Sequence, residues 1–132
     1  MVIARHERAV VFAVGAALYG LCELVYRGYT HPSMLLLGGV CLERIYDAEK
    51  RFNVLPLYLR CLSGGTFITS LELVTGSIVN IALKWNVWDY SDKPFCFLGQ
   101  ICPQYFLLWV LLTFPALHIC TFVRELYGRL YA

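Results

Sequence analysis

A carboxylate in the middle of a long apolar run is costly, and this chain has one at Glu72. It lies twelve residues before Lys84, which is about 18 Å along a helix, close to the centre of a hydrocarbon layer about 30 Å thick. Gly65, Thr69, Glu72, Gly76 and Asn80 recur at helical spacing and share one face. An ionisable residue at such depth normally faces protein or a water-filled path and has a partner. Two roles are open: Glu72 titrates during transport, or it is a hydrogen-bonded packing residue. The small and polar neighbours on its stripe suit close helix contact in either case.

A second group lies nearer the start. Tyr19, Glu23 and Arg27 are four residues apart, so they also share a helix face, and Glu23 can pair with Arg27. The pair is either a structural lock near an interface or part of the same polar site as Glu72 and Asn80. His31 follows after a short turn, and Asp89, Tyr90 and Ser91 lie beyond the apolar run that contains Glu72. An acid and a base at an interface, with an arginine for a phosphate headgroup, would suit lipid chemistry. A lone His is more often a plain loop residue. His118, inside the last apolar run, reads as a packing residue.

No spacing for metal ligands, no phosphate-binding loop and no nucleophile elbow is present. The chain carries no ATPase motif, and neither a metal nor a cofactor is expected. Of its 132 residues 59% are hydrophobic and 15% charged, against about 45–50% and about 25% in soluble domains. So much apolar surface in so short a chain calls for lipid as solvent. A net charge of +2, without a basic run, argues against nucleic acid as a partner.

These residues must be carried by helices that cross the bilayer. The expected fold is all-α: a polytopic membrane protein of about four transmembrane helices in one compact domain, residues 1–132. The first span covers Ala9 to Tyr26, and the turn Arg27 to Pro32 closes it. The basic residues before it do not make a cleavable signal, because the apolar stretch runs too far. The second apolar run, Ser33 to Leu42, is short. Runs of that length are often re-entrant, but continuation through Glu43 to Tyr46 would let it cross, with Arg44 snorkelling. A charged loop is expected through Glu43, Arg44, Asp47, Glu49, Lys50 and Arg51, and an interfacial segment from Asn53 to Arg60. The third span covers Leu62 to Leu83 and the fourth Cys102 to Val123, kinked at Pro115. Between them lies an aromatic, turn-rich stretch of the kind found at headgroup depth. Cys96 and Cys102 flank part of it and could pair.

With four spans, seven Lys and Arg fall on one side (Arg5, Arg8, Arg44, Lys50, Arg51, Arg124 and Arg129) and three on the other (Arg27, Lys84 and Lys93), with Arg60 near the first side. The positive-inside rule then places both termini in the cytoplasm. A re-entrant second segment would put them on opposite sides.

Three blocks of sequence carry a resemblance: Tyr19-Gly20 with Glu23 and Tyr26 to Met34; Glu72-Leu73 with Gly76 and Asn80; and Trp88 to Ser91, Pro94-Phe95, Gly99 to Cys102 and Trp109. Together they resemble a family of small bacterial membrane proteins described as putative ABC-transporter type IV, permease-like. The likeness runs from Tyr19 to Trp109, with Cys96 standing where the pattern has Asn. It implies transport across a bacterial inner membrane and brings no catalytic or binding residues with it. Transport is therefore the leading expectation, with the polar site on the first and third spans and the outer loop. Four short helices enclose little volume, so a homodimer or another membrane subunit is expected as partner. The alternatives are an accessory or assembly protein in which the same groups are interhelical glue, and a membrane-embedded lipid-modifying enzyme using His31, Asp89, Tyr90, Ser91, Glu23 and Arg27. The enzyme is the least favoured.

Overall fold

The computed structural model describes residues 2–130. The chain's extreme ends, Met1 and Tyr131-Ala132, lie outside the described residues. Four α-helices follow one another: α1 (Val2–Arg27), α2 (Pro32–Phe52), α3 (Leu57–Gly76) and α4 (Pro103–Leu130). A π-helical turn, Ser77–Ala82, extends α3. Three stretches are long and apolar enough to cross a membrane: Arg5–Arg27, Leu57–Ala82 and Pro103–Leu130. The fold class read from the sequence is the one found. The chain divides into two compact units, residues 1–56 with 114–132, and residues 57–113; the last helix contributes its beginning to the second unit and its end to the first.

In the first unit α1 and α2 form an antiparallel hairpin. The first helix ends where expected: Gly28 takes a positive φ of 81° and its N–H bonds to the Leu24 carbonyl at 2.9 Å, the common glycine terminator. His31 then caps α2, accepting from the Ser33 N–H at 3.1 Å, and Pro32 occupies the first turn, where no N–H is needed. The two helices approach closely through glycine. A Cβ on Gly15 would lie 2.6 Å from the Gly38 carbonyl oxygen and from Leu42 Cβ, and one on Gly38 would strike Tyr19.

The charged segment expected as a loop after Leu42 is helix through Phe52. Its charges have partners that permit this. Arg8 of α1 bridges Glu43 at 3.1 Å and Asp47 at 2.9 Å, and Lys50 lies 4.0 Å from Glu7. Arg44 and Asp47 face each other at 3.9 Å one turn apart. Periodicity sees only polarity here; the neighbouring helix supplies the countercharge. In the same unit Arg124 of α4 reaches the Tyr46 carbonyl at 3.5 Å and lies 5.3 Å above the Tyr46 ring.

The second unit is built from α3, the π turn, the loop 83–102 and the start of α4. Its helices also meet through small residues: a Cβ on Gly64 would strike Thr113, and one on Gly65 would strike Val110. Helix α4 runs through Pro115 without a break. His118 does not pack inside. It is exposed and meets the Phe114 ring edge-on at 4.7 Å, so the packing role expected from the sequence is not the one it has.

Candidate functional site

The stripe on α3 is real, and its upper half is built into the loop of its own unit. Glu72 is 1% exposed, among the most deeply buried side chains of the chain. Gly76 is small because the Gln100 side chain and the Trp88 ring occupy the space beside it: a Cβ there would strike Gln100 Oε1 and approach the Trp88 ring to 2.9 Å. One turn later Asn80 acts as a hub. Its Nδ2 donates to Gln100 Oε1 at 2.7 Å, and its Oδ1 accepts from the Val87 N–H at 2.7 Å and the Trp88 N–H at 3.4 Å. Gln100 in turn donates from Nε2 to the Leu98 carbonyl at 2.9 Å, and its own carbonyl accepts from Trp88 Nε1 at 3.1 Å. The π turn carries Asn80, and its wide hydrogen bonds continue past it: Leu83 N–H reaches the Ile78 carbonyl at 2.9 Å and Trp85 N–H the Val79 carbonyl at 2.7 Å. Such turns often mark functional positions in helices.

Thr69, one turn before Glu72, has a buried hydroxyl with no hydrogen-bond partner among the described residues. Three other hydroxyls of α3 and its π turn fold back on the helix: Thr66, Ser70 and Ser77 each donate to the carbonyl four residues earlier at 2.7–2.8 Å. Thr69 does not.

Asp89 and Ser91 form a closed turn. Asp89 Oδ1 accepts from the Ser91 hydroxyl at 2.6 Å and the Ser91 N–H at 2.9 Å, and these bonds hold its carboxyl below the ordinary aspartate value. Tyr90 N–H bonds to the Gly99 carbonyl at 2.7 Å, and its ring stacks on Tyr105 with centroids 4.5 Å apart. Cys96 lies 3.8 Å from the Ser91 carbonyl, while Cys102 is buried; no disulfide joins them.

In the first unit Arg27 Nε lies 2.6 Å from Glu23 Oε2, with the two side chains 19% and 13% exposed. The guanidinium stands 4.6 Å above the Tyr29 ring, and its charge suits the last turn of α1. Tyr19, on the same face, is buried against Gly38 of α2. His31 Nδ1 is engaged by the Ser33 N–H and hydroxyl, the latter at 2.8 Å. The expected pair of Glu23 with Arg27 is present; the bonds of Asn80 to the Trp88 segment were not expected from the sequence. His31, Asp89, Tyr90 and Ser91 hold their own turns and rings in place. Gln100 was not singled out from the sequence, although it stands beside the glycine of a turn-rich stretch; its role becomes visible only through Asn80 and Trp88.

A family model described as "Putative ABC-transporter type IV" matches residues 8–130. The chain belongs to this family. The match takes in every helix and both polar groups, so the membrane-embedded, transporter-like nature of the chain follows from family and helices together. A tryptophan decarboxylase of Camptotheca acuminata is 25% identical over 96 residues, 71% of this chain. The chain spans 19% of the length of that curated relative, and identity at this level does not show a common family. No solved structure matches.

Proposed function

We propose that the chain is a transport subunit of the bacterial cell membrane, with both termini in the cytoplasm, in which the Glu72 carboxylate changes protonation as cargo moves. The observation that carries this reading is the 1% exposure of Glu72 within a segment long and apolar enough to cross the bilayer. A group so costly to bury normally serves a pathway. The unpartnered Thr69 hydroxyl one turn away supports it, because a polar atom without a fixed partner is available to a proton, a water or a cation. Glu23 and Arg27 form the second polar group on this reading. Four helices of this length enclose too little volume for a pore, so the subunit works as a homodimer or beside another membrane protein.

One set of observations favours a second reading, an accessory or assembly protein. Gly65, Gly76 and Asn80 are engaged by Val110, Gln100, Trp88 and Val87 of their own unit, which is how interhelical glue behaves. The enzyme reading has less support, since His31 caps a helix and Asp89 closes a turn.

Reconstituted vesicles holding a pH-sensitive dye separate the two readings. Under an imposed membrane potential, the wild-type chain should pass protons and Glu72→Gln should not, although it should melt at the wild-type temperature. No proton flux in the wild type would leave the accessory role, and full flux in Glu72→Gln would take Glu72 out of the pathway.

A further inference from the structure

The loop 83–102 sorts its apolar residues into two sets. Val87, Trp88 and Cys102 are buried at 4–5% exposure, the first two locked by Asn80 and Gln100. Trp85, Phe95, Phe97 and Leu98 point the other way, at 55%, 89%, 55% and 59% exposure. A water-facing loop of this composition would lose the hydrophobic stabilisation of four large side chains. Nor are they outside for backbone comfort. Phe95 and Leu98 sit at φ of 58° and 55°, as do Lys84 and Asn86 at 56° and 53°. Non-glycine residues rarely adopt this region, because Cβ crowds the following carbonyl oxygen. Glycine would be the easier choice at 95 and 98, yet the sequence keeps large apolar side chains there.

Position says what covers them. The loop leaves the π turn at the end of one spanning segment, Leu57–Ala82, and enters the next at Pro103. Both feet therefore stand where the hydrocarbon ends. Lys84, Asp89, Asp92 and Lys93 alternate with the aromatic residues, and a mixture of rings and charges is the composition of the headgroup zone.

We propose that this loop is a rigid interfacial anchor: Trp85, Phe95, Phe97 and Leu98 insert at the headgroup–acyl boundary of the leaflet where α3 ends, and phospholipid is their partner. The anchor holds the π turn and Asn80 at fixed depth. It stands whether or not Glu72 takes part in transport.

Tryptophan fluorescence tests it in the full chain reconstituted into phosphatidylcholine vesicles. Trp88 and Trp109 are 4% and 9% exposed, so the difference between wild type and Trp85→Phe isolates the exposed indole. Two further probes, Phe95→Trp and Leu98→Trp in the Trp85→Phe background, report the loop's far side and back each other if one fails to fold. Acyl chains brominated at carbons 6 and 7 should quench all three indoles more strongly than chains brominated at carbons 11 and 12. Aqueous iodide should quench them only weakly. The anchor is overturned if iodide quenches them as fully as free tryptophan, which means water covers the loop. It is equally overturned if neither quencher reaches them, which means a second copy of the chain does.

Discussion

Asn80 donates its side-chain N–H to Gln100 Oε1 across twenty residues of sequence, at 2.7 Å. This bond ties the π turn of α3 to the end of the loop that leads into α4. Each partner has a further commitment: Asn80 Oδ1 to the Val87 N–H, and Gln100 Nε2 to the Leu98 carbonyl. Asn80→Leu should therefore strand several polar groups at once. The loss should be about 1–3 kcal/mol for each donor or acceptor left buried without a partner. Asn80→Asp keeps the acceptor for Val87 but sets a carboxylate against Gln100 Oε1, and it should be destabilising too, less so than Leu. Thermal melting in detergent measures both. A melting point of Asn80→Leu equal to wild type would mean that the network does not hold the loop.

The helix contacts make a second prediction. Gly64 lies against Thr113, which is 0% exposed and whose hydroxyl is bonded to the Trp109 carbonyl at 2.7 Å, so it has no room to yield. Gly128, also helical, has open space around it: a Cβ added there would meet nothing within 4 Å. Gly64→Ala should lower the melting temperature by the cost of overpacking, about 1–3 kcal/mol. Gly128→Ala should raise it slightly, because alanine is favoured over glycine in a helix by about 1 kcal/mol. The opposite signs make the comparison a test of the geometry rather than of glycine loss in general.

Much of this was legible in the sequence because lipid imposes one rule on every span. The turn at Arg27 to Pro32 was readable from its glycine and proline, and the end of the third span from Lys84. The stripe from Gly65 to Asn80 was readable from its spacing. The helical course of Glu43 to Phe52 was not, since it depends on Arg8 and Glu7 of another helix. The role of Gln100 was hidden for the same reason: an amide in a loop is ordinary until its partner is known. Spacing along one element is visible in sequence, whereas pairing between elements is visible only in space.

Arg27 and Glu23 form a partly buried pair, 19% and 13% exposed. Removing one member leaves the other charge uncompensated at a typical cost of about 3–5 kcal/mol. Arg27→Ala should lower the melting temperature well below that of Lys93→Ala, which removes a loop charge, and Glu23→Gln should fall between them. Equal melting of Arg27→Ala and Lys93→Ala would show that Arg27 is solvated and that the pair locks nothing.

Asp89 gives a pH prediction. Its carboxyl is held below the ordinary value by the Ser91 hydroxyl and then by the Ser91 N–H. A depressed folded value means that the carboxylate favours the folded turn. That contribution is fully present above the unfolded pKa and is lost as pH falls through the lower folded one. The Ser91 amide proton, followed by NMR, should therefore titrate with a midpoint below the ordinary 3.8. Asp89→Asn should abolish the titration while keeping the turn at neutral pH. A midpoint at or above the ordinary value would mean that the Asp89–Ser91 bonds do not form in solution.

The number of crossings turns on α2, whose second half is charged. Along the hairpin, Gly20 lies against Leu35, Gly15 against Gly38 and Leu42, Arg8 against Glu43 and Asp47, and Glu7 near Lys50. Antiparallel α2 therefore accompanies α1 along the whole apolar run that suits a span. Its charges begin level with Arg8, where the polar end of α1 begins. If α1 crosses, α2 returns, and the short apolar stretch Ser33 to Leu42 is long enough because the helix continues into headgroups. On the proposed reading the third and fourth helices bring the count to four, and the seven-to-three excess of Lys and Arg would then place both ends in the cytoplasm. A reporter active only outside the cytoplasm should be inactive when fused after Ala132 and active when inserted in the turn between α1 and α2. Activity after Ala132 would mean an odd number of crossings, and α2 would then be a hairpin arm that enters the membrane without traversing it.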